Sequence, residues 1–496
     1  MALLFPRLAF SDDSLALRCE DAELSYRELA GAAAHHVGRL QAVGVSSGQR
    51  VGVFTHAGLG TMVALVGDAL AGVVSVPLNP KLGPRELRHI LRDADPKRIY
   101  SVRADADSLR VVDAGGGMAV DAIELGVSMA PAPTFEISDE PLLILYTSGT
   151  TGPPKGAVLS SRNVAANVDA LARAWLWTDA DVVVHALPLF HVHGLVLGLF
   201  GSLRVGGALS HLAKFSPRGV CDAMASGGSM LFAVPTMYHR LADALEHDAP
   251  AAAAFARARL LISGSAALPV REHRRFEALL GQSIYERYGL TETLINCAVC
   301  AHGDAAPGYV GPPLGGVELR LVDDAGVVLE VCDDATMGEV VVRGPNVFLG
   351  YLNRPEETAS VMDQEGFFHT GDLASRRADG GLRIVGRRST DLIKTGGFKV
   401  GAGEVEACLL EAPGVGEVAV VGAMEDDLGQ RIVAFVVPRV AAKPPTAQEL
   451  MDHVASELTP HKRPRELRFV SELPKNAMGK VMKRALIARL VETRDV

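Results

Sequence analysis

Strand and helix signals alternate through the first half of this chain, and no other feature constrains its fold so tightly. Ser25 and Glu28 have the spacing of a capping box and open a helix to about Leu40. Val51–Thr55 then reads as a strand, 59–70 as a helix, Val73–Val76 as a strand and Pro84–Ala94 as a helix. The pattern resumes with a helix near 162–175, a strand at Val182–Ala186, a helix near 217–226 and a strand at Met230–Ala233. Such an order predicts an α/β protein built on parallel sheets covered by helices. Beyond about residue 310 the texture changes to short strands with turn signals, such as Val317–Val322 and Gly338–Arg343. Segment 384–399 is rich in glycine and charge. Apolar runs at Val418–Val421 and Ile432–Val437, a helix near 446–458 and a basic last helix follow. A chain of 496 residues is too long for one core. The expected division is a large N-terminal domain over 1–388, with parallel-rich sheets and a β-rich part, and a small α+β domain over 389–496.

Within that frame the clearest chemistry lies at 146–156, Tyr-Thr-Ser-Gly-Thr-Thr-Gly-Pro-Pro-Lys-Gly. It follows an apolar run, Leu142 to Leu145, that reads as a buried strand. Backbone N–H groups near Gly149, Gly152 and Gly156 can approach phosphate oxygens. Thr147, Ser148, Thr150, Thr151 and Lys155 add donors and charge. The spacing is not that of the common P-loop, because Gly156 follows the lysine. A nucleotide enzyme of another type is the first expectation.

Composition narrows the rest. The net charge of −9 argues against a polyanion-binding surface, so no nucleic acid partner is expected. Arg204 breaks the longest apolar stretch, 195–209, so no membrane span is expected. The opening residues lack the charge order of a signal peptide, and Asp12 and Asp13 follow soon after; a cytoplasmic protein is the expectation. Cys297 and Cys300 form one C-x-x-C with His302 nearby, but no second ligand pair accompanies them. Two semi-buried thiols are expected there rather than a metal.

Further segments join the glycine-rich loop. They are Leu187-Pro-Leu-Phe-His-Val-His-Gly194, Tyr288-Gly-Leu-Thr-Glu-Thr293 and His369-Thr-Gly-Asp372. Gly386-Arg387 leads into Asp391-Leu-Ile-Lys-Thr-Gly-Gly397, and Pro474-Lys-Asn-Ala-Met-Gly-Lys480 closes the series. In this order, across most of the chain, they resemble the adenylate-forming superfamily of acyl-CoA synthetases, luciferases and peptide-synthetase adenylation domains. The resemblance implies a small mobile C-terminal domain and a two-step reaction. A carboxylate attacks the α-phosphate of Mg-ATP, and a thiol then displaces AMP.

It also implies roles for particular residues. Lys480 bridges the carboxylate and the α-phosphate. Glu292 holds Mg²⁺, with Thr291 and Thr147 beside it on the phosphates. Asp372 takes the ribose with Arg387, and Ser265, Ala266, Tyr288 and Gly289 border the nucleotide. Gly396 and Gly397 let backbone run beside the pantetheine arm of coenzyme A. The motif at the domain junction is one residue longer than its usual form. The hinge is therefore Ser389 or Thr390, and which arginine meets the ribose stays open between Arg387 and Arg388.

For the acid, Arg287 is the best clue. In a strand, Glu286 and Arg287 face opposite ways and cannot neutralise each other. An arginine beside the adenylate turn is costly to bury without an anion. A second carboxylate on the substrate would supply one in bidentate geometry. Glu286-Arg287-Tyr288 with Phe190-His-Val-His-Gly194 resembles the malonyl-CoA synthetase branch. It lacks the aspartate that amino-acid-activating members place near Phe190–His193. His193 and Ser263 are helpers or core-packing groups, His191 is a gate at the aromatic side, and Val192 and Ile295 border C2, where a methyl group would distinguish methylmalonate. The expectation is an AMP-forming ligase joining malonate to coenzyme A. The alternatives are a ligase for another short or aryl acid and, in a different class, a catalytically silent nucleotide-binding sensor. Lys462, Arg463 and Arg465 read as a solvated face.

Overall fold

The computed structural model describes residues 2–115, 118–128, 131–147, 153–425, 427–441, 443–475 and 481–492. Four sheets organise those residues. The first runs in the spatial order Leu294–Ala298, Ile284–Leu290, Leu260–Ser263, Met230–Ala233, Val182–His185, Ala208–His211, Leu15–Cys19 and Ala22–Ser25. Its pairings are parallel except at the two edges. The second runs Gly350–Tyr351, Lys155–Ser160, Pro141–Thr147, Val74–Leu78, Arg50–Phe54, Arg98–Ser101 and Val120–Ala122. It is parallel from Pro141–Thr147 onward and antiparallel before that.

The α/β expectation is met, and burial explains why the strands read as they do. Met230–Ala233 and Leu260–Ser263 are buried at every residue, as strands covered on both faces must be. One hydrophobic core fills the space between the two sheets, with Val51 and Val53 from one and Val183, Leu209 and Phe232 from the other. The helix Leu59–Leu70 is buried on all sides within that layer, which is why its sequence is apolar except for Thr61 and Asp68, the latter paired with His36. Ser25 caps the helix Tyr26–Ala42 in the expected capping box with Glu28.

A third, antiparallel sheet holds Glu318–Val322, Gly338–Arg343, Phe368–Arg376 and Leu382–Arg387. The fourth joins Phe398–Gly401, Leu392–Thr395, Gly429–Pro438 and Val415–Glu425, with Glu466–Phe469 added parallel to Gly429–Pro438. It has cores of its own against the helices Ala402–Glu411, Ala447–Glu457 and Lys483–Glu492. The turn at 388–391 separates the third sheet from the fourth.

One element has no sequence signal. His193–Gly201 forms a π-helix, a rare geometry that recurs at functional sites. Arg204, just beyond it, pairs with Asp169 and donates to the Leu3 carbonyl. No helix among the described residues is long and apolar enough to cross a membrane.

Candidate active site

Parallel α/β sheets bind ligands outside the carboxyl ends of their strands. Leu260–Ser263 and Ile284–Leu290 are neighbours there, with Ser263 paired to Glu286. The chain after Ser263 turns sharply, and Ser265 sits at φ 72°, a left-handed conformation disfavoured for a side-chain-bearing residue. Ser265 and Ala266 are exposed on this loop, while Ser263 is fully buried. The strand carrying Arg287 extends through Tyr288 to Leu290, where the sequence suggests a turn. The turn comes at Thr291–Thr293, and Gly289 lies at a register shift against Leu294–Ala298.

The strand alternation separates Glu286 from Arg287 as expected. Glu286 faces His273 at 3.0 Å and accepts from the N–H groups of Leu268 and Gly308, at 3.1 and 2.9 Å. Arg287 points the other way and is buried. Its Nε and Nη2 have no hydrogen-bond partner among the described residues. Burial lowers its pKa to about 10, so it stays charged near neutrality. Both ring nitrogens of His193 and the Ser263 hydroxyl are likewise buried without partners among the described residues. Burial, with Arg287 and His185 adding to it, holds His193 well below its usual range and therefore neutral. Its ring stacks on Phe232, with centroids 5.9 Å apart. A buried cation beside unpaired polar groups is costly unless a ligand brings an anion. Val192 leads into the π-helix, half-buried, and Ile295 is fully buried on the strand next to that of Arg287.

A second cluster lies beside Tyr288. Asp372 and Arg387 are cross-strand partners. Arg387 Nε meets Asp372 Oδ1 at 2.8 Å, and Nη1 donates to the Thr370 carbonyl at 2.8 Å. The Tyr288 hydroxyl donates to Asp372 Oδ2 at 2.6 Å; burial, reinforced by Asp372, raises its pKa well above normal and keeps it protonated. Arg388 turns away to Asp324 at 2.6 Å and Glu339 at 3.2 Å. Register thus sets Arg387, not Arg388, against Asp372.

Near the glycine-rich loop, Lys155 pairs with Glu357 and lies over the Tyr351 ring. The Tyr351 hydroxyl donates to Glu292 at 2.8 Å. Thr147 and Thr291 are half-buried, and the Thr147 hydroxyl reaches the Lys155 carbonyl at 3.5 Å. Ser148, Gly149, Thr150, Thr151, Gly152 and Lys480 lie outside the described residues. Gly396 and Gly397 form the hairpin turn between Leu392–Thr395 and Phe398–Gly401, at φ 54° and 83°. That turn alone demands glycine-like residues. Ser389 and Thr390 stand in the turn that joins the third and fourth sheets. Beside them, Asp391 accepts from the Arg387 N–H at 2.8 Å and pairs with Lys483 at 2.6 Å, which also meets Glu406 at 2.6 Å.

Tyr351 and Glu357 were missed by sequence reasoning. A Pro-Glu-Glu run shortly after Tyr351 is an ordinary helix start, and nothing local ties Glu357 to Lys155. Cys297 is buried and Cys300 half-buried, both free. No cluster of three or more His, Cys, Asp and Glu able to hold a metal occurs among the described residues.

The AMP-binding enzyme family matches residues 7–352, and the AMP-binding enzyme C-terminal domain matches 404–480. A malonate–CoA ligase of Arabidopsis thaliana is 32% identical over 97% of this chain and 87% of its own length. A malonyl-CoA ligase ternary product complex with methylmalonyl-CoA and AMP is 48% identical, covering 95% of this chain and all of its own, with a TM-score of 0.73. ATP-bound MatB from Rhodopseudomonas palustris is 36% identical over 98% of both chains, with a TM-score of 0.89.

Proposed function

The chain belongs to the AMP-binding enzyme family, and from that premise we propose that it is an AMP-forming ligase joining malonate to coenzyme A. The observation that carries the acid assignment is Arg287, buried and charged with two N–H-bearing nitrogens unpartnered among the described residues. One carboxylate of malonate attacks the α-phosphate of ATP while the other takes Arg287, with His193 and Ser263 donating to it. Val192 and Ile295 border C2. A methyl group shifts binding in an apolar pocket by about 1–3 kcal/mol, so methylmalonate is a second substrate.

Asp372 receives the ribose hydroxyls, oriented by Arg387 and Tyr288, with Gly289, Ser265 and Ala266 along the nucleotide. Lys155 and the hydroxyls of 147–151 steady the leaving pyrophosphate. Glu292 fits a hard cation: it is a half-buried carboxylate linked through Tyr351 to Lys155. With Thr147 and phosphate oxygens it would hold Mg²⁺, which when bound supplies charge neutralisation. Lys480 serves the carboxylate and α-phosphate from the small domain. The thiol of coenzyme A, guided along Gly396–Gly397, then displaces AMP.

Domain rotation about Ser389 or Thr390, with 1–388 as body and 389–496 as lid, accounts for both steps. In support, the chain superposes better on the ATP-bound neighbour than on the product complex, despite lower identity to the former. A rotated domain lowers such a score without changing either domain. ATP and coenzyme A are intracellular co-substrates, which supports a location inside the cell; a cytoplasmic one is checked by fractionation against mitochondrial markers. Incubation with malonate, ATP, Mg²⁺ and coenzyme A should yield malonyl-CoA, AMP and pyrophosphate. Selective turnover of butyrate, with malonate inert, would sink the assignment.

A further inference from the structure

Gly264 has no role in the chemistry above, yet it lies under the group that reads the acid. Ser263 pairs with Glu286 across two parallel strands, which places Gly264 beside Arg287. A Cβ built on Gly264 would lie 2.8 Å from Arg287 Nη2 and nearer still to Cζ and Nε. Those atoms include both nitrogens that lack a partner among the described residues. The guanidinium therefore rests on bare backbone.

We infer that Gly264 determines acid specificity, because only the absence of a side chain there lets Arg287 occupy the position that receives a second carboxylate. Two features separate this from an ordinary structural glycine. Gly264 is not among the residues of positive φ, so alanine meets no backbone strain. The nearest atoms to the added Cβ all belong to the movable end of one side chain. An alanine variant should fold, and what it displaces is the recognising arm. Ser263 and His193 would remain, buried and uncharged, with no cation left beside them to favour an anionic end.

The inference rests on Arg287 as the diacid receptor, so three variants are compared: Gly264→Ala, Arg287→Ala and the double variant. The full-length enzyme is assayed for kcat/KM with malonate and with butyrate at saturating ATP and coenzyme A. Gly264→Ala should lower the malonate-to-butyrate ratio by ~100-fold, the scale of losing a buried charged partner. Adding Gly264→Ala to Arg287→Ala should change the ratio by less than about twofold, since residues acting through one another are not additive. The KM for ATP and the melting temperature should stay near the parent values. A preserved ratio in Gly264→Ala, with the ratio lost in Arg287→Ala, overturns the role of Gly264 alone. Equal loss for both acids, or failure of Gly264→Ala to fold, overturns it as well. A ratio unchanged in Arg287→Ala refutes the acid assignment itself, and Gly264 falls with it.

Discussion

The two ends of the candidate active site are built on opposite rules. On the nucleotide side, polar groups satisfy one another: Asp372 has Arg387 and Tyr288, Glu292 has Tyr351, and Lys155 has Glu357. On the proposed acid side, Nε and Nη2 of Arg287, both ring nitrogens of His193 and the Ser263 hydroxyl are buried and unpartnered among the described residues. The first arrangement holds geometry when empty and exchanges partners when ligand arrives. The second is complete only with an anion in it, which makes it selective, because an acid lacking the second charge leaves desolvated groups unpaired.

The largest effect should come from breaking the acid side. Arg287→Ala is expected to lower kcat/KM for malonate by about 100- to 1,000-fold while sparing butyrate, the range for a buried charged partner. Steady-state kinetics on both acids checks it, and parallel loss of both would make Arg287 structural.

Acid pH should strike the same side next. Burial depresses His185 and His193 well below 6.5, and His211 to about 4. As pH falls below 6.5 the unfolded chain takes up protons first, so stability is full above that pH and declines toward pH 4. For His211 alone the loss reaches ~3 kcal/mol. Melting temperatures between pH 7.5 and 4.5 should fall steeply, and His211→Gln should flatten the curve; an unaltered slope in that variant would remove His211 from the account.

The nucleotide side should respond more gently and without regard to the acid. Asp372→Asn should raise the KM for ATP by about 1.5–3 kcal/mol in binding terms, equally with malonate or methylmalonate. An effect confined to one acid would contradict the separation of the two ends. Glu357→Gln should have the smallest effect and the opposite sign. Releasing Lys155 from a half-buried ion pair should tighten ATP by ~3-fold, and weaker ATP binding in this variant would mean that Glu357 orients the lysine.

Much of this was legible in the sequence because it is periodic or local. Alternating apolar runs led to the parallel sheets, and Ser25 with Glu28 to a helix start. The two-residue period of a strand put Glu286 and Arg287 on opposite faces, and their separate environments follow from it. What stayed illegible depends on pairing between distant segments. The choice of Arg387 over Arg388 is made by register against Asp372. The partner of Lys155 comes from the far helix Pro355–Ser360. Gly396 and Gly397 look like a cofactor path from their motif, but their positive φ already accounts for glycine there. The π-helix that begins at His193 replaces the ordinary helical repeat and has no pattern to announce it.

By itself, then, the sequence determined the layered α/β architecture, the family and the residue types proposed to meet ATP. Those follow from hydrophobic periodicity and short motifs, whose physics acts over a few residues. Tertiary structure alone decided which of those groups are already paired and which are left wanting a ligand. Burial and pairing are properties of the space between strands, and only the folded chain brings Gly264 and His193 up to Arg287.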